Sequence, residues 1–154
     1  MSLVSLGKYK LVKDPIHGYV RIYSHELPLV DTRAFQRLRR IKQLSVADLV
    51  YPGAVHTRFL HSIGVAHVAE SLVREALRKA NVRESEVERY IVLTRLVALL
   101  HDIGHGPFSH TFEDAILFKR GVNHEIMGRR IVENGELAQY IEKIAGEYGY
   151  SAKD

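Results

Sequence analysis

IVLTRLVALLHDIGHGPFSHTFE, residues 91–113, joins the most apolar segment of the chain to its densest group of histidines. The part over 91–100 is apolar nearly all round, which is typical of a helix at the centre of a domain. The Gly-His-Gly-Pro sequence at 104–107 ends such a helix, because glycine and proline interrupt helical hydrogen bonding. We therefore predict a central helix over about residues 85–103, with the polar pair His101-Asp102 in its last turn.

The apolar spacing on both sides of this helix predicts a mainly helical chain. A second long helix is predicted over 59–80, and another after the N-cap candidates Asp31-Thr32, with apolar residues as far as Leu44. Shorter helices are predicted at about 108–119, 124–134 and 136–148, with a loop at 51–57. Residues 8–24 contain two extended runs around turn residues, which predicts a small hairpin appendage. The expected fold class is mainly α, a helical bundle with a small N-terminal β-hairpin.

Length and composition exclude several classes of protein. The 154 residues suit one domain, and we predict a single domain over 1–154. The absence of cysteine excludes a disulfide scaffold, a thiolate zinc site and a cysteine nucleophile. The sequence contains no run of about 18 apolar residues, so no membrane span is predicted. The N-terminus lacks the features of a signal peptide, which favours a cytoplasmic protein. The net charge of +4 suits a phosphate-bearing partner but is too small to assign nucleic acid.

The last four residues, Ser151 to Asp154, have the Ser-x-x-acid form that opens a helix. Because the sequence stops on a helix-start signal, we expect these residues to be the N-terminal part of a longer protein. The alternative is a frayed natural C-terminus.

The pair His101-Asp102 lies where the predicted buried helix meets its glycine break, and burying both groups requires partners. Neighbouring helical residues point about 100° apart, so both reach one ion only near a helix end. Neutral imidazoles and a carboxylate bind first-row divalent cations, and His61 on the other long helix offers a further ligand. Such a site leaves positions open for water and a substrate oxygen. The alternative is structural, with Asp102 capping a helix and His101 bonded to a backbone carbonyl.

The segments around these residues carry a specific resemblance. The chain resembles the HD superfamily of metal-dependent phosphohydrolases, and within it the dNTP triphosphohydrolase branch that includes the SAM- and HD-domain dNTPase. The likeness covers roughly residues 10–130. Its motifs are DPIHGYV (14–20), FQRLRRIKQL (35–44), YPGAVHTRFLHSIGV (51–65) and LLHDIGHGPFSHTFE (99–113).

The resemblance implies that His61, His101 and Asp102 ligate a divalent metal ion, which could be Mn, Fe, Ni, Zn or Mg. The family's fourth protein ligand is an Asp on a helix well downstream of the His-Asp pair. Asp114 and Asp154 do not stand in a matching context. The metal site is therefore expected to be incomplete in these residues, completed by another chain, or completed by a longer protein.

The resemblance also implies roles for the substrate-facing residues. Arg58 would hold a substrate phosphate, and Gln43 matches a residue that touches the nucleoside sugar. The expected catalytic residues, including a glutamate where the family has Asp, are His105, His110, His124 and Glu113. Each has a structural alternative: an ion pair with a surface acid for Arg58, turn stabilisation for the first two histidines, and an ordinary helix start for the third. The other histidines are interpreted as structural or solvent-facing.

A basic segment contains Arg33, Arg37, Arg39, Arg40 and Lys42. A solvated helix face and contact with nucleotide or nucleic-acid phosphate are both compatible with it. No aromatic platform interleaves these cations, so base stacking on a single strand is not supported. In the family branch, residues matching Asp31, Gln36 and Arg39 contribute to a regulatory nucleotide site at a subunit interface. The resemblance therefore implies a homo-oligomer.

The resulting functional hypothesis is a metal-dependent phosphohydrolase that converts a dNTP to a deoxynucleoside and triphosphate. A second hypothesis keeps the chemistry and changes the substrate to a nucleoside monophosphate, a cyclic dinucleotide or guanosine tetraphosphate. A third is a non-catalytic module that binds nucleotide or nucleic acid and retains a vestigial metal site.

Overall fold

The structure is a computed structural model that describes residues 6–150. The helix-start signal at Ser151 lies outside the described residues. A two-stranded hairpin is followed by helices, as the sequence predicts. The strands are β1 (Tyr9–Asp14) and β2 (Gly18–Tyr23), and the helices are α1 (Leu27–Val30), α2 (Arg33–Gln36), α3 (Arg58–Lys79), α4 (Glu84–Leu100), α5 (Ser109–Phe112), α6 (His124–Glu133) and α7 (Glu136–Glu147).

The hairpin is antiparallel, with Tyr9 opposite Tyr23 and Asp14 opposite Gly18. Its turn is held by Asp14, whose Oδ1 accepts hydrogen bonds from the backbone N of Ile16 at 2.8 Å and of His17 at 2.7 Å. Gly18 follows with φ of +75°, a conformation that glycine adopts without strain. The inner face of β2 is buried, so the hairpin is part of the core.

Helices α3 and α4 pack against each other and form the centre of the domain. Ile63 and Ala66 of α3 are fully buried, as are Ile91 and Leu99 of α4. The prediction of a central apolar helix is confirmed for these positions. Val97 is 59% exposed, because the outer face of α4 borders an open cleft of about 340 Å³ toward α6 and α7.

A buried ion network ties the hairpin to both long helices. The Arg95 guanidinium donates to both carboxylate oxygens of Glu26, at 2.6 and 2.8 Å, and to Glu70 at 2.9 Å. It also donates to the backbone oxygen of Arg21 in β2. The Tyr23 hydroxyl donates to Glu70 at 3.0 Å. Each buried charge is therefore paired, as burial of charge requires.

The segment after Thr32 differs from the prediction. Thr32 caps α2, accepting from the backbone N of Phe35, but regular helix ends at Gln36. A 3-10 turn follows over Arg37–Arg40, and Ile41 is extended, so the predicted helix as far as Leu44 is wrong. The reason is tertiary: the backbone of this segment pairs with the chain entering α3, where the N of Arg58 donates to the Ile41 oxygen at 2.8 Å.

Two further helix boundaries are also corrected. Helix α4 ends at Leu100 rather than at 103, so the His-Asp pair lies just beyond it. The region predicted as one helix over 108–119 is α5, then a π-helical turn over Glu113–Leu117, then a 3-10 turn over Phe118–Arg120. Across residues 6–150, no helix is both long enough and apolar enough to cross a membrane.

Candidate metal centre and active site

The three predicted metal ligands meet where α3 begins and α4 has just ended. Ligand atoms of His61, His101 and Asp102 all lie within 4.8 Å of one another. The two Nε2 atoms of the histidines are 3.3 Å apart, and the Asp102 carboxylate lies 3.6 Å from His61 and 3.5 Å from His101. The side chain of Thr57 caps α3 and accepts from the backbone N of Leu60, which fixes the turn that carries His61.

The hydrogen bonding of His101 determines which ring nitrogen is free. Its Nδ1 lies 2.8 Å from the backbone oxygen of Ala98. A carbonyl oxygen only accepts, so Nδ1 carries the proton and Nε2 presents a lone pair toward His61. Burial lowers the pKa of His61, which favours the neutral imidazole that binds metals. The imidazoles of His61 and His101 with the Asp102 carboxylate form a donor set that fits a divalent cation.

Asp102 is held as a carboxylate by its surroundings. The Nη1 of Arg58, itself 2% exposed, donates to Asp102 Oδ2 at 2.6 Å, and His105 Nε2 lies 3.4 Å from Oδ1. Burial alone would raise the pKa of Asp102, but the hydrogen bond from His105 and the charges of His101 and Arg58 outweigh it and hold that pKa well below its usual range. Arg58 therefore forms an ion pair, but with the buried Asp102 and not with a surface acid.

The four predicted catalytic residues form a second cluster beside the first. Ligand atoms of His105, His110, Glu113 and His124 lie within 4.8 Å of one another. Glu113 Oε2 is 2.8 Å from His124 Nδ1 and 3.2 Å from His110 Nδ1, and the rings of His105 and His124 stack with centroids 4.0 Å apart. Burial would raise the pKa of Glu113, but hydrogen bonds from His124 lower it. The glutamate therefore contacts both His110 and His124 through one carboxylate oxygen.

Close backbone packing brings the second cluster to the first. A Cβ on Gly104 would lie 1.9 Å from the backbone oxygen of His124 and 2.3 Å from the N of Gly128, so only glycine fits here. The first turn of α6 thus rests directly on the loop that follows the predicted metal ligands. Asn123 caps α6, because its side chain accepts a hydrogen bond from the backbone N of Ile126 at 2.8 Å. His124 is therefore the first residue of a helix, as the structural alternative supposed, and it is also a member of the second cluster.

Ser109 was not predicted and links several parts of the site. It is buried with φ of +50°, next to Phe108 at +61°, two strained residues at the start of α5. Its hydroxyl accepts from Arg58 Nε at 3.0 Å and donates to the Lys42 oxygen at 3.1 Å. Ser109 therefore orients Arg58. Gln43, beside Lys42, has its side-chain oxygen buried without a hydrogen-bond partner among the described residues.

The basic segment divides between surface and interior. Arg33 and Arg40 are exposed, and Lys42 pairs with Asp48 at 2.6 Å, as a solvated face would. Arg37 departs from both expectations for this segment, because its guanidinium donates to the backbone oxygens of Ile103 and His105. No local sequence signal reveals this contact, which spans 66 and 68 residues.

Two of the three candidate regulatory residues lie together. Arg39 Nε donates to Gln36 Oε1 at 2.7 Å, and Gln36 Nε2 donates to the Val30 oxygen at 2.9 Å. The Arg39 guanidinium lies over the ring of Phe59, 3.6 Å from its centroid. Asp31 is exposed at the end of α1.

Comparison with known proteins gives consistent matches. The HD domain model matches residues 58–150. Deoxynucleoside triphosphate triphosphohydrolase SAMHD1 of Gallus gallus is 40% identical over 144 residues, 91% of this chain and 23% of the relative. An uncharacterized protein of Methanocaldococcus jannaschii is 40% identical over 131 residues, 85% of this chain and 26% of the relative. A crystal structure of a hypothetical protein from Aquifex aeolicus aligns with a TM-score of 0.72 and 41% identity, covering 88% of this chain and 34% of that one.

The chain thus spans about a quarter of the length of these curated relatives. The family match covers the two long helices, both clusters and the helices that follow. With the ligand geometry, it establishes that this chain belongs to the HD domain family.

Proposed function

We propose that the protein is a metal-dependent phosphohydrolase of nucleotides, and that it hydrolyses a dNTP to a deoxynucleoside and triphosphate. The observation that carries this proposal is the pairing of a His61, His101 and Asp102 ligand set with an adjacent cluster of three imidazoles around Glu113. Support for the substrate comes from the similarity to SAMHD1, which is named as a deoxynucleoside triphosphate triphosphohydrolase.

In this proposal the first cluster holds a divalent cation. A bound cation supplies Lewis-acid activation of water and of a phosphate oxygen. Arg58 keeps Asp102 ionised and oriented through its Nη1, and Ser109 holds the guanidinium from the opposite side. The Arg58 Nη2 makes no hydrogen bond within residues 6–150, which leaves it as the donor for a phosphate oxygen.

The second cluster moves a proton in the proposed reaction. Glu113 accepts from both the backbone N and the ring of His124, so the imidazole is oriented by a buried carboxylate. His110 is the most exposed member of the cluster and shares the same carboxylate oxygen. As an imidazolium stabilised by the carboxylate, a histidine held in this way can protonate the leaving oxygen, and the neutral imidazole then regains a proton from the attacking water.

The assembly and regulation expected from the resemblance remain part of the proposal. We expect a homo-oligomer, with Asp31, Gln36 and Arg39 as the candidate regulatory nucleotide residues, and a cytoplasmic location. The contact between Gln36 and Arg39 supports a shared role for this pair.

The test is hydrolysis by the protein loaded with Mn²⁺, using a panel of dNTPs, nucleoside monophosphates and cyclic dinucleotides, with products separated by chromatography. We expect triphosphate and deoxynucleoside from dNTPs. His101→Ala should lose both bound metal and turnover, whereas His67→Ala, a histidine of α3 outside both clusters, should keep its metal. Orthophosphate or a linear dinucleotide as product would select the second hypothesis. Nucleotide binding without metal or turnover would select the binding module.

A further inference from the structure

Arg37 is anchored to the loop that follows the metal ligands, which we call the metal-site loop (residues 101–106). Its Nη1 donates to the backbone oxygen of His105 at 2.7 Å, and its Nη2 donates to that of Ile103 at 2.5 Å. The side chain is half-buried, and burial lowers the pKa of Arg37. A half-buried guanidinium whose Nη1 and Nη2 both donate to backbone oxygens is not part of a solvated helix face.

The two carbonyls need such a donor because α4 has already ended. Helix α4 stops at Leu100, and the last carbonyls of a helix and those of the loop beyond it have no intrahelical partners. The backbone N of His105 still bonds to the Asp102 oxygen at 3.1 Å, which makes the loop a tight turn. Arg37 spans the outside of this turn with two parallel donors, a geometry that a guanidinium provides and an ammonium does not.

The anchored loop carries His105, which contacts the metal-site carboxylate. His105 Nε2 lies 3.4 Å from Asp102 Oδ1, whereas its Nδ1 is buried without a hydrogen-bond partner within residues 6–150. The ring is therefore held by its backbone, by this contact with Asp102 and by stacking on His124. A shift of the backbone at 105 would displace the ring from Asp102. Groups that orient a metal ligand in this way commonly affect metal affinity.

We infer that Arg37 is a positioning residue of the metal centre, acting through the carbonyls of Ile103 and His105 to hold His105 against Asp102. This role rests on the part of the proposed function that places a cation at the first cluster, but the effect on metal binding does not depend on turnover. Arg37 thereby joins the 3-10 turn after α2 to the ligands at the end of α4.

The test compares Arg37→Lys with Arg40→Lys, which changes an exposed arginine of the same 3-10 turn. Binding of Zn²⁺ alone is measured by calorimetry at a temperature where each variant is folded. Because one ammonium cannot bond both carbonyls, we expect Arg37→Lys to bind Zn²⁺ roughly tenfold more weakly, and Arg40→Lys to match the wild type. Amide hydrogen exchange should accelerate in the metal-site loop of Arg37→Lys and remain unchanged in α7.

Unchanged Zn²⁺ affinity and loop exchange in a folded Arg37→Lys, even with lower thermal stability, would overturn the inference and leave only a role in the fold. If Arg37→Lys does not fold, Arg37→Gln, which retains one amide donor, takes its place with the same expected outcomes. Failure of the wild type to hydrolyse any nucleotide would refute the proposed function alone, because neither the Zn²⁺ affinity nor the loop exchange depends on turnover.

Discussion

Replacing Gly104 with alanine tests the contact that joins the two clusters. The new Cβ would lie 1.9 Å from the His124 oxygen, 2.3 Å from the N of Gly128 and 2.8 Å from its Cα. All three are backbone atoms, so no side chain can rotate away. An ordinary contact begins near 3.4 Å, and the first turn of α6 must therefore move by about 1.5 Å.

The cost of this displacement follows from the rigidity of both partners. Overpacking by a methyl group in a core typically costs about 1–3 kcal/mol, and the absence of a flexible neighbour places Gly104→Ala at about 3 kcal/mol. For a domain of this size that corresponds to a fall in Tm of roughly 10 °C. The same movement carries His124 away from Glu113, now 2.8 Å from its ring nitrogen, and a misplacement of about 1 Å can cost about 10²-fold in rate.

Thermal unfolding followed by circular dichroism measures the first effect, and steady-state hydrolysis measures the second. Gly146→Ala is the matched control, because that glycine lies in α7 with nothing within 4 Å of an added Cβ. Alanine there should be neutral or stabilise the helix by about 0.5–1 kcal/mol. A Gly104→Ala protein with the Tm of the wild type would refute the reasoning, since it would mean that α6 is not seated on the metal-site loop.

Three further predictions concern the core, acid stability and the second cluster. Arg95→Met leaves Glu26 buried without a cation and leaves Glu70 paired with Arg74 alone, and it should cost about 3–5 kcal/mol in urea unfolding. Arg78→Met, which removes an exposed ion pair, should unfold like the wild type, and equal losses in the two variants would contradict the argument. Burial lowers the pKa of His25 below its ordinary 6.5, so the unfolded chain binds more protons and the stability of the fold decreases as the pH drops below that value. The Tm of His25→Phe should therefore decrease less between pH 7 and pH 5 than the Tm of the wild type. Parallel profiles of Tm against pH for the two proteins would exclude this role of His25. Glu113→Gln keeps the shape of the side chain but removes the negative charge beside His124, so kcat should decrease by about 10²-fold in steady-state assays. An unchanged kcat would show that the Glu113 carboxylate has no part in the proposed proton transfer.

The long helices and the grouping of the candidate metal ligands could be predicted because their signals are local. Apolar periodicity locates α3 and α4, and the His-Asp pair marks the point where α4 ends. Most of the second cluster can be predicted from the sequence for a similar reason, because His105, His110 and Glu113 lie within nine residues of one another.

Contacts between distant segments could not be predicted in this way. Arg37 contacts the metal-site loop from a 3-10 turn that follows α2, and the chain beyond this turn pairs with the start of α3. Arg95 did leave a signal, since one arginine inside the apolar run 91–100 requires a buried partner. The identity of that partner, Glu26, is set by a contact across 69 residues.

The ion network has a consequence for how the domain could be shortened. The hairpin looks dispensable in the sequence, yet β2 supplies the Arg21 carbonyl and the Tyr23 hydroxyl that complete the surroundings of Arg95 and Glu70. A chain beginning after Tyr23 would lose these partners and the apolar inner face of β2, exposing the α3–α4 seam to water. The N-terminal strands therefore belong to the same cooperative folding unit as the predicted metal ligands. Cleavage of the chain near residue 24 should unfold the hairpin and the predicted metal site together.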